Sequence, residues 1–314
     1  MDRDQFAEPT DLQMKRALSP PGPEICCASR RRAITAAFML GVGVCVAALA
    51  HAAPAASNDA LPVSGLNKAS KSKKAEALLA AYPDQLERIE DNILIWKDGS
   101  QMGFDDGVTG KGFEALLTMP DIEDQLAMTY PTGEQMTPPA VNFDPGRFRN
   151  DSFFSKMYGD CSKGEVEPNL VTVNWLPSKG GGQVRVTRIN GVDKKIKAIS
   201  DELDALPDRF TPYLVSPGGT YVCRVIAGTN RRSAHAYGTA IDINVPHSDY
   251  WRWRKPKADG RFPYHNRIPY EIVRIFEEHG FIWGGKWYHY DTMHFEYRPE
   301  LLPAAQKPQA LPQP

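Results

Sequence analysis

The sequence predicts an α+β fold: helices packed against a small antiparallel sheet, preceded by a mixed N-terminal region. Three observations predict it. Residues 169–176, 183–189, 220–227, 239–245 and 289–297 read as strands, several of them with apolar and polar residues alternating at period two. Residues 193–206 place Ile196, Ile199, Leu203 and Leu206 on one helical face before Pro207 stops the helix. Two of the strand segments also carry histidine and aspartate on the face opposite their apolar residues. Helices mixed with short antiparallel strands make a layered α+β domain.

In chain order, the first feature is a leader. Arg30, Arg31 and Arg32 precede an uncharged run from Ala33 to Ala50, and Ala50-His51-Ala52 forms a small-residue cleavage pattern. This is the layout of a signal peptide, residues 1–52, cut after Ala52. An uncleaved anchor is the competing reading, since the run just reaches spanning length. Either way the rest of the chain is exported, to the periplasm or cell envelope, because the arginines stay inside. With the leader removed, no membrane span is expected.

Residues 53–75 are rich in Ala, Ser, Asn and Lys without a period and read as a linker. Residues 76–150 form an N-terminal region of unknown role. They hold a short helical stretch, a Gly/Asp loop from Asp98 to Gly112, a second helix from Gly112 to Tyr130, and a Pro-rich segment over 131–145. No chemistry can be named in them. A second domain spans 151–302. Within it, Pro269 to His279 reads as a helix with proline in its first turn and Gly280 as its C-terminal cap. Residues 303–314, dominated by Pro, Gln and Ala, read as a disordered tail.

The site argument rests on SAHAYGTAIDIN (233–244) and YHYDTMHFEY (288–297). In the first, Ile241, Ile243 and Val245 share the core face, which sends Asp242 to the other face beside small Ala240. Gly238 lets the chain turn tightly and bring His235 back beside Asp242. In the second, Met293, Phe295 and Tyr297 suit the core, so His294 and Glu296 project oppositely. If these strands are neighbours, His235, Asp242 and His294 converge. Two imidazoles and a carboxylate are a common protein ligand set for one catalytic Zn2+, with a fourth position open. A lone histidine on a strand is more often a hydrogen-bonded residue than a ligand. Two segments that each offer ligands on the same predicted face carry more weight.

These segments resemble the signature of the D-alanyl-D-alanine carboxypeptidase-like zinc peptidases. That signature is S-x-H-x-x-G-x-A-x-D, followed later by an acid, two residues and a histidine. Ser233, His235, Gly238, Ala240 and Asp242 match it, as do Asp291 and His294. The resemblance covers about residues 170–300. The stretch 280–301 is similar to the branch of L-alanyl-D-glutamate endopeptidases, which has Asp rather than Glu before the last ligand. The resemblance implies that Asp291 is the general base and then acid. It also implies an arginine upstream of the first ligand, with Arg224, Arg231 and Arg232 as candidates. Arg224 is preferred because a strand would hold it rigidly. Ser233 matches a family position near the substrate's amine or backbone, with capping of the turn as the alternative, and Arg231 would meet substrate unless it and Arg232 are simply solvated. His289 would either touch substrate or support the metal ligands; a purely structural role beside two tyrosines is equally open.

The implied function is hydrolysis of amide bonds in peptidoglycan stem peptides, by a carboxypeptidase or an endopeptidase. The alternative from another class is a catalytically silent, zinc-stabilised wall-binding module. The net charge of -1 gives no basic footprint for nucleic acid. The leader holds Cys26, Cys27 and Cys45, so the exported part keeps Cys161 and Cys223, which an oxidising compartment would allow to pair. Oligomeric state cannot be read from the sequence, nor can the choice of bond.

Overall fold

The computed structural model describes residues 68–135 and 137–302. The leader, most of the linker and the tail lie outside the described residues. Helix α1 (Lys68–Ala81) starts inside the stretch that composition reads as a linker. Pro83 follows its end, where proline cannot continue a helix.

A three-stranded antiparallel meander comes next: β1 (Leu86–Glu90), β2 (Ile93–Trp96) and β3 (Gln101–Gly103). The sequence reading has no strands here. The β1–β2 turn is Asp91-Asn92, both at positive φ (46° and 67°), the backbone that tight hairpins demand. The expected helix from Gly112 to Tyr130 shrinks to α2 (Phe113–Thr118) and a single 3-10 turn, Asp124–Leu126. Pro120 causes this, because it drives Met119 out of helical geometry (φ −140°, ψ 52°).

Helix α3 (Asp151–Tyr158) is capped by the Asn150 side chain, which accepts from the Phe153 amide. Strands β4 (Leu170–Asn174) and β5 (Gln183–Thr187) pair antiparallel, and α4 (Val192–Asp204) packs on them with Ile196, Ile199 and Leu203 fully buried. A short α5 (Thr211–Leu214) follows. The last sheet has order β6-β8-β7, from β6 (Ala240–Asp242), β7 (Phe281–Trp283) and β8 (His294–Tyr297), with α6 (Tyr270–Glu278) leading into β7. Phe295 of β8 stacks on Phe276 of α6 at 3.9 Å between ring centres. This fixes one face of the sheet to the helix.

The strand expected at 220–227 does not form. This stretch is extended, with isolated bridges at Gly219–Asp242 and Val225–Arg232. Val222 and Val225 are each 49% exposed, so no apolar face draws the segment onto a sheet. A Cys161–Cys223 disulfide ties it instead to the turn after α3. The strands expected at 239–245 and 289–297 are shorter in the structure. The first yields to a turn at Val245–His247 in which Asn244 accepts from the His247 amide. The second is preceded by a turn in which the His294 amide donates to the Asp291 carbonyl.

The buried core is continuous. Leu78, Trp96 and Phe104 of the N-terminal region join the same cluster as Ile241, Phe276 and Phe295. Among the described residues, no helix is long and apolar enough to cross a membrane.

Candidate metal centre

The register of the last sheet builds the site. Asp242 on β6 stands directly opposite His294 on β8, and Ala240 opposite Glu296. His235 lies in the 3-10 turn Ala234–Tyr237 ahead of β6. Gly238 ends that turn at φ +68°, and a Cβ there would sit 2.8 Å from Leu170 Cδ2 and 3.1 Å from the Thr187 amide nitrogen. A glycine is therefore needed twice over, for the left-handed backbone and for the close approach to β5.

The turn delivers His235 Nε2 to 3.2 Å from Asp242 Oδ1 and 3.1 Å from His294 Nδ1; His294 Nδ1 is 2.9 Å from Asp242 Oδ1. The other nitrogen of each ring is already engaged. His235 Nδ1 donates to the Thr220 carbonyl at 2.5 Å, and His294 Nε2 meets Glu296 Oε2 at 3.0 Å. Each ring is thus oriented from behind, as in metal sites whose histidines lean on a carbonyl or carboxylate. What remains is two imidazole nitrogens and a carboxylate oxygen facing one another, a group that could hold a metal ion. Its donor types fit Zn2+.

The electrostatics agree. Burial alone would raise the Asp242 carboxyl, but the charges and hydrogen bonds of His235 and His294 hold it well below the usual carboxylate range. Burial works against a charged His294, yet Asp242 and Glu296 outweigh it and push the imidazole up to about 10. Glu296, also opposed by burial, is held well below the ordinary range by Arg149, His294 and Arg298. In the metal-free chain the cluster therefore retains a proton at His294, in the place a cation would take.

Asp291 lines the same pocket. Burial, and then the neighbouring Asp242 charge, push it up to about 6. Its Oδ1 is buried with no hydrogen-bond partner among the described residues. An unpaired buried acceptor is costly, and this one belongs to a residue of the pocket wall.

Ser233 is buried on the pocket wall at 5% exposure, and Arg224 lines the mouth from the extended segment. No strand holds Arg224: its side chain is exposed, and its backbone is tied by the disulfide at neighbouring Cys223 and by the Ser233 amide, which donates to its carbonyl at 3.1 Å. Arg231 and His289 lie outside the lining. Arg231 donates to the Arg147 carbonyl at 3.2 Å, and burial followed by Arg149 and Arg147 lowers it to about 10. His289 holds Asp144 through Nδ1 at 2.6 Å and packs against Phe113 and Trp251. Both residues brace the wall from behind.

The sequence reading finds no chemistry before residue 151, yet Arg147 and Arg149 line the pocket. They come from Asp144-Pro145-Gly146-Arg147-Phe148-Arg149, which crosses the sheet face carrying His294 and Glu296. Gly146 makes this possible: at φ +96°, any Cβ would be 2.3 Å from Ile282 Cδ1. The face expected to be free is consequently covered, and all of β8 is buried. The Arg-Phe-Arg alternation after a Pro-Gly turn is the one local signal for these residues.

Residues 227–297 match the family described as D-alanyl-D-alanine carboxypeptidase. The match begins after Arg224 and contains His235, Asp242, Asp291 and His294. No curated protein and no solved structure gives a significant match.

Proposed function

From the premise that residues 227–297 belong to the D-alanyl-D-alanine carboxypeptidase family, we propose that the protein is an exported, zinc-dependent peptidase that hydrolyses amide bonds in peptidoglycan stem peptides. The observation that carries the proposal is the convergence of His235, Asp242 and His294 beside a buried, unpartnered Asp291. Bound zinc would supply Lewis acidity, polarising an amide carbonyl and acidifying water.

The chain's own groups do the rest. His235 Nε2, His294 Nδ1 and Asp242 Oδ1 would hold the ion, the two rings being oriented by the Thr220 carbonyl and Glu296. Asp291, with a proton affinity lifted by burial toward neutrality, accepts a proton from the attacking water at its free Oδ1. It then returns that proton to the leaving amine nitrogen, so one group serves both half-reactions. Arg224 at the mouth places positive charge where the carbonyl oxygen gains negative charge. Ser233 lies on the wall to meet the peptide backbone.

The test is a pair of substitutions. Asp291→Asn keeps the three ligands, so zinc should stay bound while kcat falls at least about a hundredfold, the usual contribution of general acid–base catalysis. His294→Ala should lose both metal and activity. Near-normal turnover by Asp291→Asn refutes its role as the base. A wild-type protein that binds zinc but cleaves no wall peptide is the silent wall-binding module instead.

A further inference from the structure

Arg147 stands apart from the two buried arginines beside it, Arg149 and Arg298, and from Arg224, whose side chain is exposed. Arg149 is spent on Glu296, with Nη1 at 3.0 and 3.2 Å from its two carboxylate oxygens. Arg298 divides itself between Glu296 and Glu300, so two buried acids match two buried arginines. Among the described residues, Arg147 has no such partner. Its nearest acid, Asp144, is 3.9 Å from Nε, beyond hydrogen-bond distance. Asp144 is fully buried and its oxygens already accept from the amide and Nδ1 of His289, at 3.0 and 2.6 Å.

Arg147 is nevertheless held in place. Its Nη1 donates to the His289 carbonyl at 3.0 Å, its guanidinium lies 5.4 Å from the centre of the Trp287 ring, and Arg231 grips its backbone carbonyl. The side chain is 16% exposed, and it lines the pocket together with Asp291. With zinc in place, Asp242 and Asp291 would offset the ion's two charges, which leaves the guanidiniums of Arg147 and Arg224; of these, Arg147 is the one held in the wall, and Arg224 is exposed. An arginine fixed in a pocket wall, with free donors and no carboxylate bonded to it, is prepared for a planar anion.

We infer that Arg147 is a specificity-determining residue that binds a carboxylate of the substrate peptide next to the scissile amide, and that Asp144 and His289 position it. The inference rests on the peptidase reading and deepens it. It assigns a task to a segment outside the family match, and narrows the substrate to peptides with a free carboxylate beside the cut. Two stem-peptide positions offer that chemistry: the terminal carboxylate of D-Ala-D-Ala, and the α-carboxylate of a γ-linked D-Glu.

The experiment compares four synthetic stem peptides: one ending in D-Ala-D-Ala, as the free acid and as the carboxamide, and one with L-Ala-γ-D-Glu, as the α-acid and the α-amide. Affinity is read by calorimetry on zinc-loaded Asp291→Asn protein, with metal content checked by elemental analysis. In one of the two pairs the acid should bind about ten- to a hundredfold more tightly than the amide, the range for a hydrogen bond to a charged group; that pair identifies the source of the carboxylate. Adding Arg147→Gln should weaken only the acid and erase the difference with metal content unchanged, and Arg147→Lys should restore part of it. Equal binding of acid and amide in both pairs overturns the inference while leaving the peptidase reading intact. So does an acid preference that survives Arg147→Gln. If no peptide binds, the peptidase reading falls and this inference with it. The acid–amide comparison needs no change at Arg147, so it decides the matter even where Arg147→Gln fails to fold.

Discussion

Replacing Glu296 by glutamine should separate the support of the proposed metal site from its proposed ligands. Glu296 is fully buried and is not among the three facing donors. It meets His294 Nε2 at 3.0 Å, Arg149 at 3.0 Å and Arg298 at 3.2 Å. The glutamine keeps the shape and one acceptor oxygen but loses the charge that fixes the His294 tautomer. Losing such a partner typically costs about ten- to a hundredfold in metal affinity, equivalent to about 1.4–2.7 kcal/mol. The fold should suffer as well, because Arg149 and Arg298 lose a shared counter-charge. Breaking a buried pair costs about 3–5 kcal/mol, and the low end applies here since Arg298 keeps Glu300 and Arg149 keeps the Gly146 carbonyl. The sign with pH follows. The folded carboxyl of Glu296 is depressed, so its stabilisation is present above its unfolded value, about 4.3, and is lost as pH falls below that. Wild type should therefore lose this increment in acid, while the variant, with nothing to protonate there, should show a flatter acid limb. Competition against a chelator at pH 7 gives the zinc affinity, and melts of the metal-free proteins from pH 3 to 7 give the stability. A Glu296→Gln protein whose zinc affinity stays within about twofold of wild type, against the loss expected for such a partner, would refute the orientation of His294 by this carboxylate.

Two other outcomes are expected. His294 in the metal-free chain is pushed up to about 10, so loading zinc at pH 7 should displace about one proton, and affinity should rise about tenfold per pH unit through the neutral range; calorimetry in buffers of different ionisation enthalpy reads the proton count, and a count of zero contradicts the retained proton. Reducing Cys161–Cys223, which closes a separation of 62 residues, should cost up to about 4 kcal/mol by loop entropy and lower the melting temperature by about 8–16 °C; kcat should fall too, because Arg224 is anchored by Cys223, and an unchanged melting temperature and kcat on full reduction would show that the bond does neither.

The site was more legible than the frame around it. Asp242 and His294 could be placed together because strand alternation is local: once Ile241 and Phe295 go to the core, their neighbours must face the other way, while His235 was legible through the tight turn at Gly238. The helices over 192–204 and 270–278 were legible for the same reason, with a strong apolar stripe in each. The meander β1–β3 was missed because its strands are three to five residues long; its best signal was the Asp91-Asn92 turn rather than any period. Residues 220–227 show the opposite error. Their alternation is real, but Val222 and Val225 have nothing to pack against, and the disulfide substitutes for a ladder. Arg147 and Arg149 were invisible for a different reason. They reach the pocket across a long-range contact that depends on Gly146 fitting against Ile282, and no local pattern encodes that.

The central claim is that this chain is a zinc peptidase of the cell wall, and the most direct measurement is mass spectrometry of purified muropeptides after digestion by metal-free and zinc-reconstituted protein. The account predicts one class of amide bond cut, with each product pair summing to the substrate plus one water, in the reconstituted sample and in neither the metal-free nor the His294→Ala control. Intact muropeptides in the presence of a protein shown to carry one zinc would contradict it.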